Sequence, residues 1–307
     1  MKKCLVIYNP NSGKFRKDKK LPGFEKMLNN YGYECKIVLT EYKGHTIDII
    51  KNAEHVDLVI SIGGDGTFNE AVTGNFMRKD KLLLSHIPSG TTNDVSKMYG
   101  YTKNTLNNLK ITLEGEKKRI DICLINDKPF VYSAGFGKFM NVPYETPREL
   151  KKKWGYLAYL SRGLKSYRSK TTPIDITYSV NGETYRGLFS FMIATSANRI
   201  AGINNFYKDV KLDDDRFEVL ICNITSKKDI IKSLYFLTIY DATRVPGFYF
   251  YKTDKFKIKF NTPLKKPWCI DGEELDDIEE EYTITTTKEI DVLMPKKNIK
   301  NLFIKGN

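Results

Sequence analysis

Short apolar runs alternate with amphipathic stretches through about the first 125 residues. Leu5-Val6-Ile7-Tyr8 reads as a buried strand, and Phe24, Met27, Leu28 and Tyr31 recur at helical spacing to mark one helix face. Residues 34–40 predict the next strand, 46–54 a helix, 57–62 a strand and 82–87 another. This is the pattern of an α/β domain, whose ligands gather beyond the carboxyl ends of the strands. The texture changes after about Arg119. Runs at 174–180, 188–194, 218–222 and 256–260 are short and bounded by Gly, Asn, Asp and Pro, which predicts a largely antiparallel β domain. Two helical stretches, 147–170 and 226–239, interrupt it.

At 307 residues the chain exceeds the usual size of one domain, so two are expected. Hydrophobic residues at 41% and charged residues at 28% allow a substantial core and argue against disorder beyond the termini. No apolar run approaches the roughly 20 residues that span a bilayer. Met1-Lys2-Lys3 leads directly into the first strand, which predicts a cytoplasmic protein without a signal peptide. Cys4, Cys35, Cys123, Cys222 and Cys269 are odd in number and widely spaced, as expected of reduced thiols with no metal. His45, His55 and His86 show no paired ligand spacing, and His86 reads as a packed residue near a strand end.

A net charge of +13 calls for an anionic partner: nucleotide, nucleic acid or acidic membrane. No zinc finger, helix-turn-helix or aromatic RNA-binding motif is present, so no nucleic-acid partner is expected. Within 148–170, Arg148, Lys151, Lys152, Lys153 and Arg162 surround Trp154, Tyr156 and Tyr159. Two readings stay open here: an amphipathic helix with a solvated basic face, or contact with an anionic membrane surface.

Three polar loops fall at the strand ends: Asn9-Pro10-Asn11-Ser12-Gly13-Lys14, Gly63-Gly64-Asp65-Gly66-Thr67-Phe68-Asn69-Glu70, and Pro88-Ser89-Gly90-Thr91-Thr92-Asn93-Asp94. Glycines at a strand end before a helix let backbone N–H groups approach an anion, and the helix start adds roughly half a positive charge. Asp65 amid such a site would repel phosphate unless a cation is also bound, which points to Mg²⁺ and nucleotide chemistry. The loops do not fit the P-loop pattern or G-x-G-x-x-G, which disfavours a Walker-type NTPase or an ordinary dinucleotide dehydrogenase.

These three loops, followed by Asp271-Gly272-Glu273, stand in an order that resembles the soluble bacterial diacylglycerol kinases. Tyr144-Glu145-Thr146-Pro147 and Lys211-Leu212-Asp213-Asp214 extend the resemblance. That family is related to sphingosine and ceramide kinases and, more remotely, to NAD kinases and phosphofructokinases. The resemblance implies an α/β nucleotide-binding domain (1–124, rejoined by 290–307) of the Rossmann-like, NAD kinase type, and an antiparallel β-sandwich (125–289) for the lipid acceptor. It also implies ATP as donor and a lipid substrate.

By matching motif, the ATP site takes Asn9, Pro10, Asn11, Ser12, Gly13, Thr40, Gly64, Asp65, Gly66, Thr67, Phe68, Asn69, Glu70 and Thr91. Asp65, Asp94 and Asp121 match acids that hold the catalytic Mg²⁺, partly through water. On local sequence alone Asp94 also suits a helix cap and Asp121 a strand end. Asp271 and Glu273 match the position of the general base, with Glu273 as base, Asp271 as its partner, and Glu274 as an adjacent competitor. Without the resemblance Asp271-Gly272 reads as a hairpin turn. A second, structural Mg²⁺ is implied at the Lys211 carbonyl, Asp214 and the Arg216 carbonyl, although Asp215 stands where the family has Gly.

The expected function is an ATP-dependent kinase acting on the hydroxyl of diacylglycerol or a related lipid, peripherally bound to the inner face of the membrane. Alternatives are a kinase for phosphatidylglycerol or a sphingoid base, an NAD kinase, or a non-catalytic regulator that binds nucleotide or lipid. A homodimer stays open.

Overall fold

A computed structural model describes residues 1–12, 17–90, 93–138, 172–199, 207, 209–226, 228–229, 232–233, 235–236, 242–275, 278–297 and 299–304. Two compact units emerge. The first comprises 1–122, 212–214 and 288–307, and the second 123–211 and 215–287.

The first unit opens with β1 (Lys2–Tyr8), α1 (Lys17–Asn30), β2 (Tyr33–Leu39), α2 (His45–Lys51), β3 (Leu58–Gly63), α3 (Asp65–Phe76) and β4 (Leu84–Pro88). The short α4 (Asp94–Met98) and α5 (Thr105–Leu113) follow. β1, β2, β3 and β4 pair in parallel in the order β2-β1-β3-β4. Val6, Tyr8, Ile60, Ile62 and Ile87 meet Phe24 and Leu28 of α1 and Leu109 of α5 in one core. α2 ends at Lys51, earlier than the apolar pattern predicts, where Asn52 Nδ2 donates to the Asp48 carbonyl (2.9 Å). α5 lies outside the elements that the apolar pattern predicts; Asn104 caps it by accepting from the Asn107 N–H (3.1 Å).

β5 (Glu116–Ile125) leads into the second unit, followed by β6 (Lys128–Phe130), β7 (Ser133–Gly137), β8 (Ile174–Val180), β9 (Glu183–Phe189), β10 (Phe191–Thr195) and β11 (Phe217–Cys222). Then come β12 (Phe248–Thr253), β13 (Lys255–Phe260), β14 (Cys269–Ile270), β15 (Glu273–Glu274) and β16 (Glu281–Met294). β13 lies between β16 and β8, with β9 beyond, all antiparallel. A second antiparallel sheet runs β12-β11-β10-β7-β14-β15. Phe136, Phe217, Val219 and Ile221 from this sheet pack with Phe256, Ile258, Tyr282 and Trp268 in a single core, the signature of a β-sandwich. The C-terminal end of β16 returns to the first unit, where Val292 pairs with Leu84 of β4. The chain is therefore an α/β unit plus a β-sandwich.

The apolar run 188–194 is broken at Ser190, which bends the chain from β9 in one sheet to β10 in the other. The corner is satisfied by the Ser190 N–H and Oγ, which both donate to the Cys222 carbonyl. β14 is confined to Cys269–Ile270.

Residues 212–214 interrupt the second unit's sequence yet belong to the first. The Asp121 N–H donates to the Leu212 carbonyl (2.6 Å) and the Leu212 N–H to the Leu302 carbonyl (2.7 Å). Asp213 Oδ1 accepts from the Ile304 N–H (2.8 Å). Among the described residues no helix is long and apolar enough to cross a membrane.

Candidate active site

The loops at the carboxyl ends of β1, β3 and β4 are tied together. Asn9 donates its N–H to the Ile62 carbonyl (2.9 Å) and its Nδ2 to Thr67 Oγ1 in α3 (3.1 Å). Its Oδ1 accepts from the Asn11 N–H (3.0 Å), closing a turn in which the Ser12 N–H bonds the Asn9 carbonyl (3.1 Å). The N–H groups of Ser89 and Gly90 both donate to the Gly63 carbonyl (2.7 and 3.1 Å), so the third loop lies on the second. A Cβ on Gly90 would stand 2.7 Å from the Gly64 Cα, so only glycine permits this approach. Asn93, at φ 50°, reaches back to the Gly90 carbonyl through Nδ2 (2.8 Å).

Gly64 is the extended N-cap of α3 and has no side-chain cap, so the helix start and its partial positive charge face the loop cluster. Thr40, buried at the end of β2, donates its N–H to the Tyr8 carbonyl (2.9 Å) and sits at the same edge of the sheet. Backbone amides, glycines and small hydroxyl side chains are the donor set that surrounds a polyphosphate. The glycine approach leaves room that side chains would fill, so the residues present fit a nucleotide.

Other predicted residues of this set do different work. The Phe68 ring is fully buried and stacks on His86 at 5.1 Å, so its ring belongs to the core and only its backbone can serve a ligand. Glu70 Oε1 accepts from the Gly44 N–H (3.0 Å) and so fixes the turn before α2. Gly13, Thr91, residues 144–147 and the basic stretch 148–170 lie outside the described residues, as does part of 226–239. His86 is fully enclosed, with Nδ1 2.9 Å from Ser61 Oγ, and burial drives its pKa down to about 3, so the ring is neutral.

Asp65 Oδ2 accepts from the Asp94 N–H at 2.9 Å, which brings two of the three expected metal acids into contact. Asp94 and Asp121 are both buried. Among the described residues no group of three or more His, Cys, Asp or Glu converges as a metal cage. An all-oxygen donor set suits Mg²⁺, which keeps several waters and takes phosphate oxygens as ligands. Lys288, which the sequence did not single out, places Nζ 3.8 Å from Asp121 Oδ1 and 2.8 Å from the Asp213 carbonyl. No local signal marks it, because its partners are remote in sequence.

In the 211–216 loop, Asp215 adopts φ 58°, a left-handed conformation that favours glycine.

In the second unit Asp271 (φ 49°) and Gly272 (φ 87°) form the two-residue turn of the β14–β15 hairpin. The Asp271 carboxylate accepts three backbone N–H groups: Val131 on Oδ2 (2.8 Å), and Tyr132 (2.9 Å) and Ser133 (2.8 Å) on Oδ1. Its own N–H donates to the Ser133 carbonyl (2.8 Å). Asp271 therefore clamps the hairpin to the start of β7, while Glu273, next along, is exposed.

Residues 3–125, which carry the three loops and all three acids, match the diacylglycerol kinase catalytic domain. The chain is similar to the bacterial diacylglycerol kinases. It is 28% identical over 306 residues to the diacylglycerol kinase of Bacillus subtilis strain 168, covering 98% of this chain and 99% of that one. It is 27% identical over 308 residues to the diacylglycerol kinase of Staphylococcus aureus strain MRSA252, covering 100% and 96%. A solved structure of a diacylglycerol kinase from Bacillus anthracis strain Sterne superposes with a TM-score of 0.74 at 20% identity, over 95% of this chain and 97% of that one. At that identity the last likeness bears on the fold alone.

Proposed function

We propose that this chain is an ATP-dependent lipid kinase that transfers the γ-phosphoryl group to the hydroxyl of diacylglycerol and yields phosphatidic acid. The observation that carries the reading is the stitched pair of glycine loops at the start of α3, with Asp65 and Asp94 joined beside it. Such a cradle binds polyphosphate through backbone N–H groups, and the acids would hold Mg²⁺ on the phosphates through water. Bound there, Mg²⁺ would neutralise charge on the transferred phosphoryl group. Asp121 would be the third acid of that set, and Asp214 with the carbonyls of Lys211 and Arg216 would hold a second, structural Mg²⁺.

Phosphoryl transfer to an alcohol also needs a carboxylate to take the hydroxyl proton. Glu273 is the proposed base, carried on a hairpin that Asp271 holds rigid through three backbone bonds. The net charge of +13 supports peripheral binding to an anionic membrane surface.

The test is a kinase assay with labelled ATP and Mg²⁺ across diacylglycerol, phosphatidylglycerol, sphingosine and NAD. Phosphatidic acid as the main product supports the proposal. Transfer to NAD alone, or no transfer with intact nucleotide binding, overturns it.

A further inference from the structure

The Asp121 side chain in β5 is fully enclosed, at 0% exposure. A carboxylate in such a place holds one pose only if an opposite charge or hydrogen bonds compensate its lost hydration. Lys288, in the part of β16 that belongs to the first unit, brings that charge with its Nζ 3.8 Å from Asp121 Oδ1. At this distance the contact is ionic and not a hydrogen bond.

A lysine ammonium on its four-carbon stem is a mobile charge unless something holds it. Here it donates to the Asp213 carbonyl at 2.8 Å. That carbonyl is fixed in turn, because Asp213 Oδ1 accepts from the Ile304 N–H and Leu212 bonds Leu302 on one side and Asp121 on the other. The backbone of Asp121 and the counter-charge of its side chain are thus both tied to residues 212–213.

We propose that Lys288 is a positioning residue for phosphoryl transfer: anchored on the Asp213 carbonyl, its ammonium holds the Asp121 carboxylate in place for the metal–nucleotide. This rests on the lipid-kinase reading for the role of Asp121. Without the ammonium Oδ1 of the enclosed carboxylate loses the positive charge that faces it, and its hold on the metal weakens.

Three variants of the full chain separate charge from tethering. Lys288→Gln keeps a donor for the Asp213 carbonyl without charge, Lys288→Arg keeps the charge, and Lys288→Met removes both. Binding of Mn²⁺ to the ADP-loaded protein, read from the free-ion paramagnetic resonance signal, is measured beside kcat and KM for ATP. Residues that orient a metal ligand change metal affinity or activity by about 10–100-fold. The expectation is a loss of about tenfold or more in Mn²⁺ affinity and kcat for Lys288→Gln and Lys288→Met, with KM for ATP at saturating metal little changed and Lys288→Arg near wild type. Should Lys288→Met fail to fold, the Gln and Arg variants decide. Wild-type affinity and turnover in Lys288→Gln, or equal losses in Lys288→Arg and Lys288→Gln, overturn the proposal. Mn²⁺·ADP binding needs no acceptor, so failure of the lipid-kinase reading is seen separately, in the wild-type chain.

Discussion

The N–H of Asp94 donates to Oδ2 of Asp65 at 2.9 Å, so the acid of the glycine-rich loop anchors the start of the next helix. One carboxylate thereby joins an observed duty, as a hydrogen-bond acceptor, to the proposed one, as a charge for Mg²⁺. Asp65→Asn retains an acceptor and loses the charge. It is expected to stay folded while turnover falls by about 100-fold or more. Asp65→Ala loses the tie as well and costs about 1–3 kcal/mol of stability. Urea unfolding beside the lipid phosphorylation assay checks both, and near-wild-type turnover in Asp65→Asn would remove Asp65 from the metal site.

Gly90→Ala tests the cradle. The added Cβ would fall 2.7 Å from the Gly64 Cα, and backbone cannot swing aside as a flexible side chain can. The two loops must separate, at a cost of about 1–3 kcal/mol. ADP affinity by calorimetry is expected to drop by about tenfold, the effect of roughly 1.4 kcal/mol of lost phosphate contact. Unchanged ADP binding would place the nucleotide elsewhere.

Much of the first unit was legible because its signals are local. The strands β1 to β4 are unbroken apolar runs, and Asn9-Pro10-Asn11, Gly63-Gly64-Asp65 and Ser89-Gly90 punctuate their ends. What escaped depends on remote partners. Ser190 turns a continuous apolar run into two strands by bonding the Cys222 carbonyl, and nothing in 188–194 announces it. Asp271 reads locally as a turn residue, and so it is, but its carboxylate is engaged by the amides of 131–133. The burial of Phe68 was hidden inside a loop motif whose other residues are polar. Lys288 looks like any lysine in a strand until Asp121 and Asp213 are brought to it.

Asp271 and Glu273 flank Gly272, the first partly buried and bonded to three backbone amides, the second exposed, so their substitutions should diverge. Asp271→Ala strips three backbone N–H groups of a charged acceptor and is expected to cost about 3–5 kcal/mol. Glu273→Gln changes an exposed side chain and should alter stability by no more than about 0.5 kcal/mol. Its kcat is expected to fall by about 100-fold or more, the loss typical of a general base. Retained turnover in Glu273→Gln would pass the role to another carboxylate, with Glu274 the first to test. Wild-type stability in Asp271→Ala would refute the clamp.

His86 gives the fold a pH dependence of known sign. Enclosure lowers its pKa from 6.5 to about 3, with the hydrogen bond to Ser61 opposing the shift. In the unfolded chain the imidazole takes a proton below about pH 6.5, while the native ring stays neutral. Between about pH 6.5 and 3 the unfolded state binds more protons, so stability falls as pH falls, by about 1.4 kcal/mol per pH unit at full slope. Above about pH 7 both states are neutral and the term vanishes. At pH 5 the accumulated cost is about 2 kcal/mol. Urea unfolding at pH 7.5, 6 and 5 should therefore show a smaller loss of stability in His86→Asn than in wild type, by about that amount, whatever the offset between the two proteins. Parallel profiles would mean that the native protein protonates His86 as readily as the unfolded chain does.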